Sequence, residues 1–209
     1  GKACFLCEDD SQARYDPRES LLCPACANPT VPLDPSKPQQ ILAHVGAHLL
    51  HGSVNLSSEP CGFCLSPSPQ CQFFLTKKKQ IDRNRSRGCA VFTSLTRGFS
   101  YASASASNEN SPCSNVPIVC PVCSQIDPNT PAIWKYTAKE HMIRRHPSIN
   151  LHQYEHLWQT SNSERISLKK IYDDRRKVKK ARGRKRKEKE KGPLLISEAH
   201  SSRMSQRYV

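Results

Sequence analysis

Two stretches of this chain repeat one arrangement of cysteine and histidine. In each, a Cys-Pro-x-Cys sequence is followed after seventeen residues by a histidine, and a second histidine closes the unit. A structural zinc ion requires four nitrogen or sulfur ligands at the corners of a tetrahedron, so each stretch predicts one zinc site. The two predicted sets are Cys23, Cys26, His44 and His48, and Cys120, Cys123, His141 and His146.

Composition favours small metal-stabilised modules over one large core. Only 36% of the 209 residues are hydrophobic, and 16 prolines interrupt the chain. Modules that bury little apolar surface usually gain stability from metal ions or disulfides. Four of the cysteine pairs have C-x2-C spacing, and the end of the chain is strongly basic. We therefore expect reduced thiolates that hold Zn²⁺ inside the cell rather than disulfides.

The N-terminal module is predicted over residues 21–51. Its helix should cover 36–51, with Ser36 and Gln39 as a capping box and Pro38 in the first turn. Two histidines four residues apart lie on one face of such a helix and can reach the same ion. His51 shares that face and is a possible substitute ligand.

An alternative pairing stays open for this module. The Cys4 and Cys7 pair stands fifteen residues before the Cys23 pair, which is itself a four-cysteine zinc spacing. In that arrangement the histidines of the N-terminal module would combine with Cys61 and Cys64. The repeat favours the two-cysteine, two-histidine set and leaves Cys4 and Cys7 without identified partners. The chain does not open with methionine, so we expect that ligands from a missing upstream segment complete their site.

The C-terminal module is predicted over residues 116–147. Pro131 should open its helix and Pro147 should stop it, with Ile133 and Trp134 in the first turn filling a small core. The two histidines are five residues apart, so the last turn must loosen before both can bind one ion. Both modules have seventeen residues between their Cys and His pairs, whereas ordinary DNA-reading fingers have about twelve. The additional residues either lengthen the loop or shift the start of the helix.

A third set of ligands is predicted in the middle segment, residues 52–115. It consists of Cys61, Cys64, Cys89 and Cys113, and Cys71 can replace either of the last two. Short strands are expected at 73–75, 91–92 and 99–101. Residues 100–112 are small and polar, which indicates a flexible loop.

Positive charge is concentrated near the end of the chain. The net charge is +14, and residues 169–191 contain fourteen Lys or Arg against four acidic residues, or +10. Such a run suits a nuclear import receptor or phosphate groups. Arg182-Gly183-Arg184 also resembles the core of an AT-hook, although Lys185 stands where that motif has proline. The predicted nucleic-acid contacts are Lys135, Lys139, Arg144, Arg145, Arg182, Arg184, Lys185 and Arg186.

The sequence favours a binding protein over an enzyme. It contains no G-x-S-x-G, H-E-x-x-H or P-loop motif, and four-ligand zinc sites leave no open position for a water nucleophile. No small-molecule substrate is expected. The longest nearly apolar run, 41–50, is far shorter than the ~20 residues of a membrane span, so no membrane partner is expected either.

Six stretches of the chain carry a resemblance to a known family: ILAHVGAHLLH at 41–51, EPCGFC at 59–64, SPCSNVP at 111–117, CPVC at 120–123, WKY at 134–136 and ISEAHSS at 196–202. Together they resemble a family of uncharacterised proteins from mushroom-forming fungi, which are Cys/His-rich and described only as C2H2-type zinc-finger proteins. The resemblance implies a nuclear or mobile-element-linked setting and treats the four predicted middle cysteines as framework residues. It implies no established biochemical activity.

The predicted fold is a string of small α+β modules stapled by zinc, in which two C2H2-like fingers flank a Cys-rich segment. The predicted function is a zinc-binding nuclear protein that binds DNA with weak or unknown specificity through the C-terminal module and the tail. The alternative is a protein-interaction scaffold whose basic tail serves only as a nuclear localisation signal. In that case Ile41, Leu42, Val45 and Leu49 would dock the partner. The predicted segments are 1–20, 21–51, 52–115, 116–147, a helical segment 148–180 and a disordered basic tail 181–209.

Overall fold

A computed structural model describes residues 21–27 and 30–189, with side chains described as far as residue 175. That part of the chain contains six α-helices and one two-stranded sheet, and the predicted α+β class is confirmed. The helices are α1 (Pro38–His51), α2 (Ala90–Thr93), α3 (Tyr101–Ser105), α4 (Pro121–Ile126), α5 (Ala138–Arg145) and α6 (Asn162–Lys189). The strands are β1 (Pro117–Ile118) and β2 (Ile133–Trp134), and 3₁₀ turns cover Leu56–Ser58, Lys135–Thr137 and Leu151–Leu157.

Helix α1 begins two residues later than the sequence predicts. Pro38 occupies its first turn as expected, but the residue before the helix is Lys37, which makes no side-chain cap. Ser36 turns away instead, because its backbone N–H and its hydroxyl both donate to Asp34 Oδ1 at 2.9 and 2.7 Å. The predicted capping box is therefore wrong. The helix ends where the Gly52 N–H donates to the carbonyl of His48.

The C-terminal module places a strand where a helix start was predicted. Ile133 and Trp134 form β2, which pairs antiparallel with β1. A 3₁₀ turn follows, and α5 begins only at Ala138. The long spacing between the Cys and His pairs therefore contains a second strand, and both of its residues are buried.

The middle segment also departs from its predicted strands. Residues 91–92 lie in α2, and residue 101 opens α3, so both strand predictions are wrong. Part of the predicted loop 100–112 is therefore helical. Phe73 and Leu75 do form extended pairings, as isolated bridges to Ala132 and Ile81.

One buried core joins the N-terminal module, the middle segment and part of the C-terminal module. Phe63 stacks against Phe73, Phe92 and Trp134, with ring centroids 5.2–6.0 Å apart. The same core includes apolar residues of α1 and Leu168 of α6. A smaller core beneath α5 contains Cys120, Ile133, Ala138 and Met142. The modules therefore share packing instead of lying along the chain as separate units.

The chain divides into two compact units, of which the first ends at Asp173. Glu164 anchors the start of α6 in the first unit, because its buried carboxylate accepts from the Ser114 N–H at 2.7 Å and from the Tyr136 hydroxyl. The backbone of α6 is helical as far as Lys189, so disorder from residue 181 is not what the structure shows for 181–189. Residues 190–209 lie outside the described part. None of the described helices is long and apolar enough to span a membrane.

Candidate metal centres

Three groups of four cysteine or histidine side chains converge in the described part of the chain. In each group, the four ligand atoms lie within 4.8 Å of one another, which is the arrangement that can hold a metal ion. The N-terminal cluster is Cys23, Cys26, His44 and His48; the middle cluster is Cys61, Cys64, Cys71 and Cys89; the C-terminal cluster is Cys120, Cys123, His141 and His146.

A small hairpin and α1 build the N-terminal cluster. The Cys23 N–H donates to the Val31 carbonyl at 2.9 Å, and this pairing presents the two cysteines to the helix. Cys26 Sγ lies 3.6 Å from His44 Nε2 and 3.2 Å from His48 Nε2. The four residues predicted from the repeat are therefore brought together.

The alternative ligands for this cluster lie elsewhere. His51 Nε2 is 3.1 Å from the carbonyl oxygen of Arg165, outside the cluster. Cys61 and Cys64 meet other cysteines and not the histidines of α1. Cys4 and Cys7 fall outside the described residues.

Strands β1 and β2, α4 and α5 build the C-terminal cluster. Cys123 Sγ lies 3.3 Å from His141 Nε2 and 3.1 Å from His146 Nε2, while Cys120 Sγ is 3.5 Å from His146 Nε2. His146 follows the last residue of α5 and has non-helical backbone angles, φ −134° and ψ 57°. The helix therefore loosens at its last turn, as the five-residue histidine spacing predicts.

The middle cluster contains Cys71 where the sequence analysis preferred Cys113. Cys61 Sγ lies 3.8 Å from Cys89 Sγ, and Cys64 Sγ lies 3.5 Å from Cys71 Sγ. Cys113 is fully buried away from them, where its Sγ donates to the carbonyl of Leu42 at 3.2 Å. Burial against α1 thus removes Cys113 from the predicted set, and the substitute Cys71 takes its place.

The distances within the clusters fit a tetrahedral zinc ion. Zn–S bonds of about 2.3 Å and Zn–N bonds of about 2.0 Å place two sulfurs ~3.8 Å apart and sulfur and nitrogen ~3.5 Å apart. The closest contacts are 3.5–3.8 Å between sulfurs and 3.1–3.6 Å between sulfur and nitrogen, and all ligand atoms of a cluster lie within 4.8 Å of one another. None of the nine cysteines in the described part of the chain forms a disulfide, so each sulfur can serve as a metal ligand.

Backbone N–H groups point at several of the sulfurs. Phe63 N–H donates to Cys61 Sγ at 3.4 Å, and Phe92 N–H donates to Cys89 Sγ at 3.5 Å. In the C-terminal cluster, Cys123 N–H donates to Cys120 Sγ at 3.5 Å. Such bonds orient a ligand sulfur and stabilise its negative charge.

Burial opposes ionisation of these thiols in the absence of a cation. It raises the pKa of Cys23 to about 12 and that of Cys123 to about 11. Burial is also the largest single influence on Cys120, but hydrogen bonds with His141 and Cys123 together outweigh it and lower the Cys120 pKa to about 6. A bound metal ion replaces these protons, so the clusters should release protons when they load.

Glu59 is a site residue that the sequence analysis missed. Its Oε1 lies 3.4 Å from His141 Nδ1, the ring nitrogen opposite the one that faces the sulfurs, and 3.9 Å from Arg145 Nε. The close approach of the His141 ring lowers the Glu59 pKa. A carboxylate behind a metal-binding histidine orients its ring. The only sequence signal was an acidic residue two positions before Cys61.

The predicted nucleic-acid contacts divide into three groups. Lys139, Arg144 and Arg145 are exposed on α5. Lys135 is half-buried, and its Nζ donates to Ser114 Oγ at 2.7 Å. This ammonium group is therefore engaged inside the protein and does not face solvent as the other three cations do. The four tail residues lie within the α6 backbone, and their side chains are outside the described part.

The apolar residues assigned to partner docking in the scaffold alternative are not accessible. Ile41, Leu42, Val45 and Leu49 are each at most 3% exposed and belong to the shared core. They hold α1 in place and offer no surface to a partner.

No protein-family model matches this chain, and the comparisons with curated proteins and with solved structures likewise found no match. The geometry of the clusters therefore carries the functional argument.

Proposed function

We propose that the chain is a zinc protein with three structural ions. The observation that carries this proposal is the convergence of four cysteine or histidine ligand atoms within 4.8 Å at each of three places. Thiolate and imidazole ligands in a tetrahedral arrangement suit zinc, and four protein ligands leave no position for a substrate. We expect no catalytic activity.

The N-terminal and C-terminal modules are, in this proposal, C2H2-like zinc fingers. In each, paired extended segments present a C-x2-C sequence and a following helix presents the histidines. Base-reading positions of ordinary fingers do not transfer, because those fingers have about twelve residues between the ligand pairs. Membership of the fungal Cys/His-rich group forms part of the same proposal.

The proposed role of the folded chain is DNA binding in the nucleus with weak sequence specificity. Lys139, Arg144 and Arg145 on α5 supply exposed cations beside the C-terminal cluster, and residues 169–191 add +10. Cations that neutralise phosphates give binding that depends strongly on salt and little on sequence. Residues 169–191, here called the basic stretch, would also bind a nuclear import receptor.

Native mass spectrometry tests the metal proposal directly. Three zinc ions per chain are expected, with loss of ions and of folded structure when a chelator is added. A chain that retains its circular dichroism and protease resistance without metal would contradict structural zinc.

Fluorescence anisotropy with a short DNA duplex tests the nucleic-acid proposal. Deletion of residues 176–191 should weaken binding and flatten its salt dependence. The deletion begins at 176 because a deletion from 169 would also remove Ile171 and Tyr172, which pack against the core. If the deletion changes neither affinity nor salt dependence, the basic stretch serves localisation only. A scaffold without nucleic-acid binding would be the better description if the full chain fails to bind the duplex.

A further inference from the structure

A basic hairpin connects two ligands of the middle cluster. Residues 72–88, here called the basic hairpin, run from Cys71 to Cys89. The N–H groups of Gln72 and Arg87 each donate to the other residue's carbonyl at 2.9 Å, and Leu75 pairs with Ile81 nearer the tip. Both ends of the hairpin are therefore held beside the metal ion proposed for the middle cluster.

The basic hairpin accounts for the positive charge that lies outside the basic stretch. It has six cations and one acidic residue, or +5, and residues 169–191 have +10. The remaining residues then sum to 14 − 10 − 5, or −1. All six cations are exposed, namely Lys77, Lys78, Lys79, Arg83, Arg85 and Arg87.

These cations are not neutralised by neighbouring carboxylates. Asp82 lies within the hairpin, but its Oδ1 accepts from the backbone N–H groups of Asn84 and Arg85 at 3.0 and 3.2 Å and so stabilises the turn. Within the part of the chain that the structure describes, no acidic side chain forms an ion pair with a hairpin cation. The positive charge therefore faces solvent.

Aromatic rings hold two of the arginines in place. The Arg85 guanidinium lies 4.5 Å from the centroid of Phe74, and that of Arg83 lies 5.5 Å from the centroid of Phe92. Arg87 Nε donates to Gln72 Oε1 at 2.9 Å. Partly ordered guanidinium groups lose less entropy when they bind phosphate oxygens.

We propose that the basic hairpin is a phosphate-binding arm that contacts the backbone of a nucleic acid. This inference deepens the proposed nucleic-acid function and rests on it. A two-stranded ribbon is narrow enough to enter the major groove of DNA, and an exposed row of cations matches its closely spaced phosphates. In the described part of the chain, the large apolar side chains that are exposed all lie outside the hairpin. An arm without such side chains is better suited to binding phosphates than to inserting into a lipid surface.

The test compares two full-length, zinc-loaded triple variants. Lys77→Gln, Lys78→Gln and Lys79→Gln remove three charges from the hairpin. Lys37→Gln, Arg97→Gln and Arg165→Gln remove three exposed charges elsewhere, near Pro35 and at the start of α6. Binding to a short mixed-sequence DNA duplex is followed between about 50 and 200 mM salt. Zinc content and thermal unfolding are measured for both variants to establish that each remains folded.

The hairpin variant should lose about tenfold or more in affinity, and its logarithmic salt slope should fall by about 2 to 3, since each phosphate contact contributes about 0.9. The control variant should change the slope by less than about 1. An unchanged hairpin variant, or one that weakens only as much as the control, overturns the inference while leaving the proposed function on α5 and the tail. If the unaltered chain does not bind the duplex, the proposed DNA binding and the proposed role of the hairpin are both wrong. Tighter hairpin-dependent binding to a glutamate-rich peptide than to the duplex would also overturn the assignment to nucleic acid.

Discussion

At the residue scale, Glu59 connects two of the metal clusters. It lies two residues before Cys61 of the middle cluster, and its carboxylate faces His141 of the C-terminal cluster. Its side chain is only 12% exposed, so its charge is little screened by water. The residue therefore orients the histidine ring from a segment that the C-terminal module does not contain.

Glu59→Ala should weaken zinc binding at the C-terminal cluster by about 10- to 100-fold, because His141 loses the group that orients its ring. Glu59→Gln should lose less, since its amide oxygen can still accept from Nδ1. Glu140→Ala on α5 is the matched control, and it should leave zinc affinity unchanged. Competition with a chromophoric chelator measures these affinities. Equal affinity in the Ala variant and the unaltered chain would contradict a positioning role.

Cys71 and Cys113 give a second prediction at this scale. Cys71→Ser should reduce the zinc content of the chain from three ions to two, because serine is a poor zinc ligand. Cys113→Ser should retain three ions, since the hydroxyl can donate to the Leu42 carbonyl as the thiol does. Native mass spectrometry distinguishes the two. The reverse pattern would restore the ligand set predicted from the sequence.

At the scale of elements, the turn from Cys61 to Cys64, here called the middle knuckle, packs directly on strand β2. A Cβ atom at Gly62 would overlap the indole of Trp134, so this position between Cys61 and Cys64 has room for glycine alone. The aromatic cluster around Phe63 then fixes the knuckle against both β2 and α2. Contact between elements from two predicted modules thus requires a glycine inside the loop that carries two candidate metal ligands.

Gly62→Ala should destabilise the zinc-loaded chain by about 1–3 kcal/mol, as overpacking of a filled core does. Gly98→Ala is the control, because a Cβ there meets nothing within 4 Å and should change stability by less than about 0.5 kcal/mol. Urea unfolding in the presence of zinc provides the comparison. Equal stability of the two variants would show that Trp134 moves aside at little cost.

At the scale of the whole molecule, the clusters differ in how they connect to the interior. Cysteines of the N-terminal and middle clusters line one shared core, whereas Cys120 lines a smaller core with Met142. In the proposed zinc form, loss of an ion beside the shared core would remove ligand bonds that also hold its packing. Unfolding should therefore spread further from the N-terminal cluster than from the C-terminal one.

Hydrogen exchange of two histidine variants tests this difference. His44→Ala should increase exchange in residues 21–51 and also in the middle segment, through the shared core. His141→Ala should increase it mainly in α4, α5 and residues 149–158, which contribute most of the smaller core. The unaltered zinc-loaded chain supplies the reference. If exchange in His44→Ala stays confined to 21–51, the modules fold independently, as the sequence analysis expected.

The sequence by itself determined the two Cys2His2 ligand sets and the α+β class. Those ligands lie within single short segments, where helix period and knuckle spacing bring them together locally. Tertiary packing decided the remainder. It buried Cys113 against α1 and left Cys71 beside Cys89, paired residues 133–134 as a strand, and covered the apolar face of α1. Those outcomes depend on which distant segments meet, and no local period encodes that. The charge of the hairpin was visible in the sequence, but its closure at a metal cluster was not.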